Sequence, residues 1–254
     1  MSGSPLHSGE RAAHEARRSL GLDELRPVQE LLDVVEDLGV PVLVDRFEQP
    51  DVAGVLLRRA EGDRFVAVNA DHGPVRQRFT LAHELGHIQL GHQPRLDMAA
   101  DVFDRGRDPQ EFEANYFAAE FLAPRLGVLS WLERHDLTRR AGEAVTVAKL
   151  ALAYGVAYKT ACIRLERSGA ISSRAKDRLI AELAADGAAL ARRHGAFRLM
   201  DSLETLWRSD DYPRPPRATV AYAQDAHEAG LLDDDELAAI MPGRPALDVS
   251  DWFA

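Results

Sequence analysis

One short run restricts this chain more than any other: His83-Glu84-Leu85-Gly86-His87. Two histidines at i and i+4 leave a helix on the same face, close enough to share one ion. Neutral imidazoles suit Zn²⁺. Glu84, one position beyond His83, points beside that ion, where a carboxylate polarises a water instead of ligating. A chain with nine histidines can produce such a run by chance, on a surface helix with incidental histidines. The surroundings argue against that: Phe79-Thr80-Leu81-Ala82 before the run and Leu85-Gly86 within it are uncharged, as a helix buried on one side requires. One Zn²⁺ ion is the expected cofactor, held by His83 and His87, with Glu84 as general base.

A catalytic zinc site takes three protein ligands and keeps one position open. His92 is close in sequence, but the three-histidine pattern HExxHxxGxxH places its last His one residue further on, and its Gly where this chain has Leu90. His92 therefore reads as a cap or as a group that orients a ligand. A second helix, Gln110 to Glu120, is the better source. Glu113, Tyr116, Phe117 and Glu120 share a face by helical spacing, with Ala114, Ala118 and Phe121 flanking it for close packing. A carboxylate among apolar neighbours is costly unless it meets a cation. Glu113 is the expected third ligand. Glu120 is second choice, or a partner that orients a ligand histidine. Tyr116 and the arginines of the 95–107 loop are candidates for a second electrophile.

The rest of the chain places this pair of helices. Hydrophobic residues make up 46% and charged residues 28%, which excludes a disordered composition and allows a core without staples. The single cysteine, Cys162, excludes an internal disulfide and a thiolate zinc site, and fits a reducing cytoplasm. No stretch has signal-peptide or membrane-spanning character, and a net charge of −10 opposes non-specific attraction to phosphate backbones. Residues 1–21 read as a loose arm with a helix through Glu10–Leu20, and Pro27 opens a helix stopped by Gly39. A strand is expected over 40–44 and a hairpin over 53–59 and 64–70, whose edge could hold an extended substrate. Helices follow over 75–90 and 109–122, separated by a loop at 93–108, and then over 125–135 and 145–154. Residues 172–200 read as one long helix with a break near Gly187 or Gly195, 210–216 as a Pro-rich connector, and 219–230 and 235–240 as two short helices. The class is α+β, mostly helical. Four units are expected: an arm or helix at 1–26, a metallopeptidase-like domain at 27–143, a helical unit at 144–200 and a helical appendage at 201–254.

Two blocks carry a resemblance. The first is Val68-Asn69 with Arg76-Gln77-Arg78-Phe79-Thr80-Leu81-Ala82-His83-Glu84-Leu85-Gly86-His87; the second runs from Glu111 to Pro124. Together they resemble the ImmA/IrrE family of metallo-endopeptidases over about residues 27–170. The resemblance implies a zincin-like fold with a small sheet ahead of the metal helix. It implies His83, His87 and Glu113 as zinc ligands and Glu84 as catalytic base. It also implies a protein substrate, a helix-turn-helix transcriptional repressor of phage, mobile-element or stress-response genes. One departure is Ala123, where the family commonly has Met; the position is one of packing.

Residues 146–169 have a helix–turn–helix pattern, with Ala151, Gly155, Val156, Thr160 and Leu165 at the positions that pack such a unit. Lys149, Lys159, Arg164, Arg167, Arg174, Lys176 and Arg178 make the segment basic. Packing or partner docking explains such a unit as well as DNA binding does, and DNA binding is not the favoured reading. Cys162 within it reads as core. The leading expectation is thus a zinc endopeptidase that cleaves a repressor. Its rivals are a regulatory protein that acts by binding DNA or the repressor, and a toxin component with a wider protein target.

Overall fold

The computed structural model describes residues 5–58, 64–92, 95–98, 108–194 and 215–240. In chain order the elements are α1 (Pro5–Ser19), α2 (Leu31–Asp37), β1 (Val42–Asp45), β2 (Val52–Arg58), β3 (Arg64–Asn69), α3 (Pro74–Leu90) and β4 (Arg95–Met98). They continue with α4 (Pro109–Leu122), α5 (Arg125–Arg134), a 3₁₀ turn (Thr138–Arg140), α6 (Ala144–Tyr154), α7 (Tyr158–Arg167), α8 (Ser173–His194), α9 (Arg217–Glu228) and α10 (Asp234–Ile240). The fold is α+β and mostly helical, as expected.

The sheet has the order β1-β3-β2-β4, with β1 parallel to β3 and β2 antiparallel to both its neighbours. Strand alternation divides its apolar residues between two faces. Val42, Val44, Val66 and Val68 join the main core with Leu81 and Leu85 of α3 and Phe117 and Phe121 of α4. Leu43, Val55 and Ala67 build a small cluster on the other face with Phe47 and Val52. β4 lies in the segment expected to be a loop. Its four residues carry two charges, too short and polar a run to read as a strand, and it exists because β2 offers it a row of backbone partners. The β2–β3 hairpin edge expected to face a substrate is therefore covered: β2 is enclosed between β3 and β4.

Three further expectations change. The N-terminal arm is a docked helix that starts at Pro5, with Ala13 and Ala16 buried. Its Arg17, 1% exposed, donates hydrogen bonds to the carbonyls of Asp23, Arg26 and Phe121. The helix expected from Pro27 begins at Leu31, although Val28 still enters the core. α8 runs through Gly187 without a break, while Gly195 and most of the Pro-rich connector lie outside the described residues. α9 is tied to α2 by Arg217, whose guanidinium reaches Glu36 at 2.8 Å and Asp37 at 2.7 Å.

The helix–turn–helix pattern forms as α6, a turn at Gly155 (φ +60°) and α7. Cys162 is fully buried and burial pushes its thiol up to about 12. Several cations counted toward a basic face are engaged within the chain. Arg164 is buried, where it donates to the Glu120 carboxylate and, at 2.7 Å, to the Ala123 carbonyl. Arg167 pairs with Glu10 at 3.1 Å and lies 4.2 Å from the Tyr116 ring centre. Lys176 lies 3.6 Å from Glu166.

Desolvation lowers the Arg164 pKa, and Glu120 is the partner that keeps its charge tolerable. Removing one member of a buried pair strands the other. Glu120→Ala should cost about 3–5 kcal/mol in chemical denaturation, and adding Arg164→Met should recover most of that loss. If the two losses simply add, the pair is not the coupling between α4 and α7.

Candidate metal centre

α3 carries His83, Glu84 and His87, all fully buried. Pro74 starts the helix at a position where its missing N–H is no loss, and Gly91, at φ +71°, ends it. α4 lies across α3, opened by Pro109 and capped by Asp108, whose carboxylate accepts from Gln110 N–H at 2.9 Å. The helices approach closely because Gly86 lacks a side chain. A Cβ there would lie 3.0 Å from Phe117 Cδ1 and 3.2 Å from both Cα and O of Ala114.

That approach delivers Glu111. Its carboxylate oxygens lie 3.2 Å from His83 Nε2 and 3.3 Å from His87 Nε2, and the two Nε2 atoms are 2.9 Å apart. His83, His87 and Glu111 thus offer three donor atoms that converge in the protein interior. Glu111, not the expected Glu113, is the carboxylate that the structure brings to the two histidines. The physical reason is helical phase: two residues turn a helix by about 200°, so only one of these carboxylates can face the His83–His87 pair. Glu113 faces away, toward α1 and the end of α3, where Ser8 donates to one oxygen and His92 Nε2 lies 3.0 Å from the other. Helical spacing alone suggests one buried face for α4. It has two, because α1 and α3 both pack on it. The usable signal was the i,i+4 pair Glu111 and Asn115, which puts a second polar group on the side facing the histidines.

Asn115 Oδ1 lies 3.2 Å from His83 Nδ1, and His87 Nδ1 lies 2.8 Å from His92 Nδ1. With Nδ1–H donating in each of the two histidines, both Nε2 lone pairs would face the Glu111 carboxylate. Burial alone would raise the Glu111 pKa; when Nε2 of His83 and His87 is protonated, hydrogen bonding and charge from the two rings hold it well below the usual carboxylate range, the part a cation takes when those nitrogens present lone pairs. Two lone pairs and a carboxylate facing one buried point suit a cation. Tetrahedral Zn²⁺ with bonds near 2.0–2.1 Å separates its ligand atoms by about 3.3 Å, close to the 2.9, 3.2 and 3.3 Å found here. The residues fit the ion.

Glu84 projects toward the sheet. A Cβ on Gly54 of β2 would stand 2.6 Å from Glu84 Oε1 and 2.6 Å from Thr80 Cγ2, so the carboxylate occupies space that only a glycine leaves. Nothing in the sequence around Gly54 signals this role. His92, 9% exposed, sits behind His87. Tyr116 and Glu120 are not at this point: Tyr116 lies under Arg167, and Glu120 binds Arg164 and the Arg125 N–H. The arginine side chains of the 95–107 loop lie outside the described residues.

A buried HExxH helix completed by a carboxylate from a second helix is the arrangement of a metallopeptidase. Residues 35–166 match the family model of M78 peptidases, described as the IrrE N-terminal-like domain, and the chain belongs to that family. Over 79 residues it is 40% identical to the radiation response metalloprotease IrrE of Deinococcus radiodurans, a match covering 30% of this chain and 24% of that protein. The chain thus matches about a quarter of the length of this relative.

The close contact at Gly86 yields a stability prediction. Glycine-to-alanine in a helix gains about 0.5–1 kcal/mol from backbone entropy, whereas overpacking a tight core costs about 1–3 kcal/mol. Because the obstructing atoms include Ala114 backbone, overpacking should win, and Gly86→Ala should lower the melting temperature. A raised melting temperature would show that α3 and α4 are not held at this distance.

Proposed function

We propose that this protein is a zinc-dependent endopeptidase that cleaves a partner protein, with His83, His87 and Glu111 as metal ligands and Glu84 as general base. The observation that carries the reading is the convergence of three buried donor atoms beside a buried glutamate. When bound there, Zn²⁺ supplies Lewis acidity, polarising a peptide carbonyl and lowering the pKa of water. Glu84, held against Gly54, accepts the proton of the attacking water and passes it to the leaving amine nitrogen. Asn115 and His92 keep the ligand rings in the productive tautomer.

The substrate class we favour is a helix-turn-helix transcriptional repressor. Its support is the resemblance carried by the blocks around His83 and Glu111. Cleavage, not DNA binding, is the favoured activity, since Arg164, Arg167 and Lys176 are spent on contacts within the chain. Among the described residues no helix is long and apolar enough to cross a membrane. We place the protein in the cytoplasm, where such a repressor would be met.

The test combines metal analysis with proteolysis. Wild type should bind one Zn²⁺ per chain, and His83→Ala, His87→Ala and Glu111→Ala should lose it. Glu84→Gln should keep the ion and the fold while cleavage of the repressor falls by at least about 100-fold. A Glu84→Gln variant that cleaves normally, or that relieves repression in full, refutes proteolysis as the function.

A further inference from the structure

Behind His87 runs a line of polar contacts that the ligand set does not require. Gly91, in the left-handed region, turns the chain at the end of α3 so that His92 N–H bonds back to the His87 carbonyl at 2.9 Å. The His92 ring returns over the last turn and meets His87 Nδ1 at 2.8 Å. Its other nitrogen, Nε2, is 3.0 Å from Glu113 Oε2. Glu113 in turn accepts from the Ser8 hydroxyl of α1. α1 can lie this close because Gly9 has no side chain: a Cβ there would stand 2.4 Å from the Glu113 carbonyl.

With His92 neutral, one proton arrangement satisfies the whole line. Glu113 as a carboxylate only accepts, so His92 Nε2 must carry a proton. His92 Nδ1 is then the acceptor for His87 Nδ1–H, which leaves His87 Nε2 with its lone pair toward Glu111 and His83. In that arrangement the chain of bonds selects the one His87 tautomer that can ligate, and in any arrangement it holds the ring against rotation. His83 obtains the same from Asn115 in one step.

Resting on the metal reading above, we propose that His92 and Glu113 are positioning residues for His87, and that α1 completes the metal site by holding Glu113 through Ser8. α1 precedes residue 35, where the family match begins. The site of this chain is thus finished by a helix outside its matched domain.

The experiment measures Zn²⁺ affinity of the full chain by competition with a chromophoric chelator, and the visible spectrum after Co²⁺ substitution. Loss of such outer partners typically weakens metal affinity about 10- to 100-fold. That loss is expected for His92→Ala and Glu113→Ala, with a changed Co²⁺ spectrum and an unchanged melting temperature of the metal-free protein. Glu113→Gln keeps an amide oxygen that can accept from His92, so it should lose less and still fold. Ser8→Ala should show a smaller loss in the same direction. In the imidazole ¹⁵N spectrum of the wild type, His92 should carry its proton on Nε2 and His87 on Nδ1. Unchanged affinity in both His92→Ala and Glu113→Ala overturns the positioning role while leaving the metal site intact. Unchanged affinity in Ser8→Ala removes α1 from it. Loss of all binding in Glu113→Ala with retention in Glu111→Ala would make Glu113 itself the ligand, overturning both assignments. A wild type that takes up no Zn²⁺ refutes the metal reading beneath the proposal.

Discussion

The contact between α3 and α4 at Gly86 and Ala114 is the constraint on which the centre depends. A carboxylate reaches about as far as its own short side chain, so Glu111 can meet two histidines on a neighbouring helix only if the two backbones nearly touch. The 3.2 Å from a Gly86 Cβ to the Ala114 backbone measures that closeness. Around it the apolar residues Phe117, Ala118 and Leu85 exclude water, which raises both the cost of the buried polar groups and the strength of their mutual attraction. The four-stranded sheet then closes the remaining side and brings Gly54 against Glu84.

Burying this much charge demands matching partners. Glu111 faces the histidines, Arg164 meets Glu120, and Arg17 is spread over three backbone carbonyls. These groups contribute specificity of arrangement more than raw stability, because desolvation offsets most of the Coulombic gain. They fix the rotation of α4 relative to its neighbours on both sides, and so decide which of its glutamates faces the histidines.

Much of this could be read in the sequence. The β2–β3 hairpin, α3 through Leu90, α4 through Leu122 and the turn at Gly155 lie within a residue or two of where turn chemistry and apolar spacing put them. The HExxH run placed three of the residues that gather at the centre. What periodicity could not give was the phase of α4. A helix packed on two sides has no polar face to set its rotation, and Glu111, Glu113 and Glu120 look alike until their partners are known. β4 was hidden for a related reason: its pairing is supplied by β2, not by its own composition. The basic segment misled in the opposite sense, since a count of cations says nothing of which way Arg164 points.

The carbonyls that Arg17 binds belong to Phe121, near the end of α4, and to the link that leads into α2. One side chain from the first helix therefore stitches together backbone far apart in sequence, and Ala13 and Ala16 cover apolar surface beside it. A chain trimmed to the span shared with its relatives would lose this stitch. It would open α4 to water on the side that α1 covers. For expression and crystallisation, the practical domain of this protein starts near residue 5, well upstream of the point at which similarity begins.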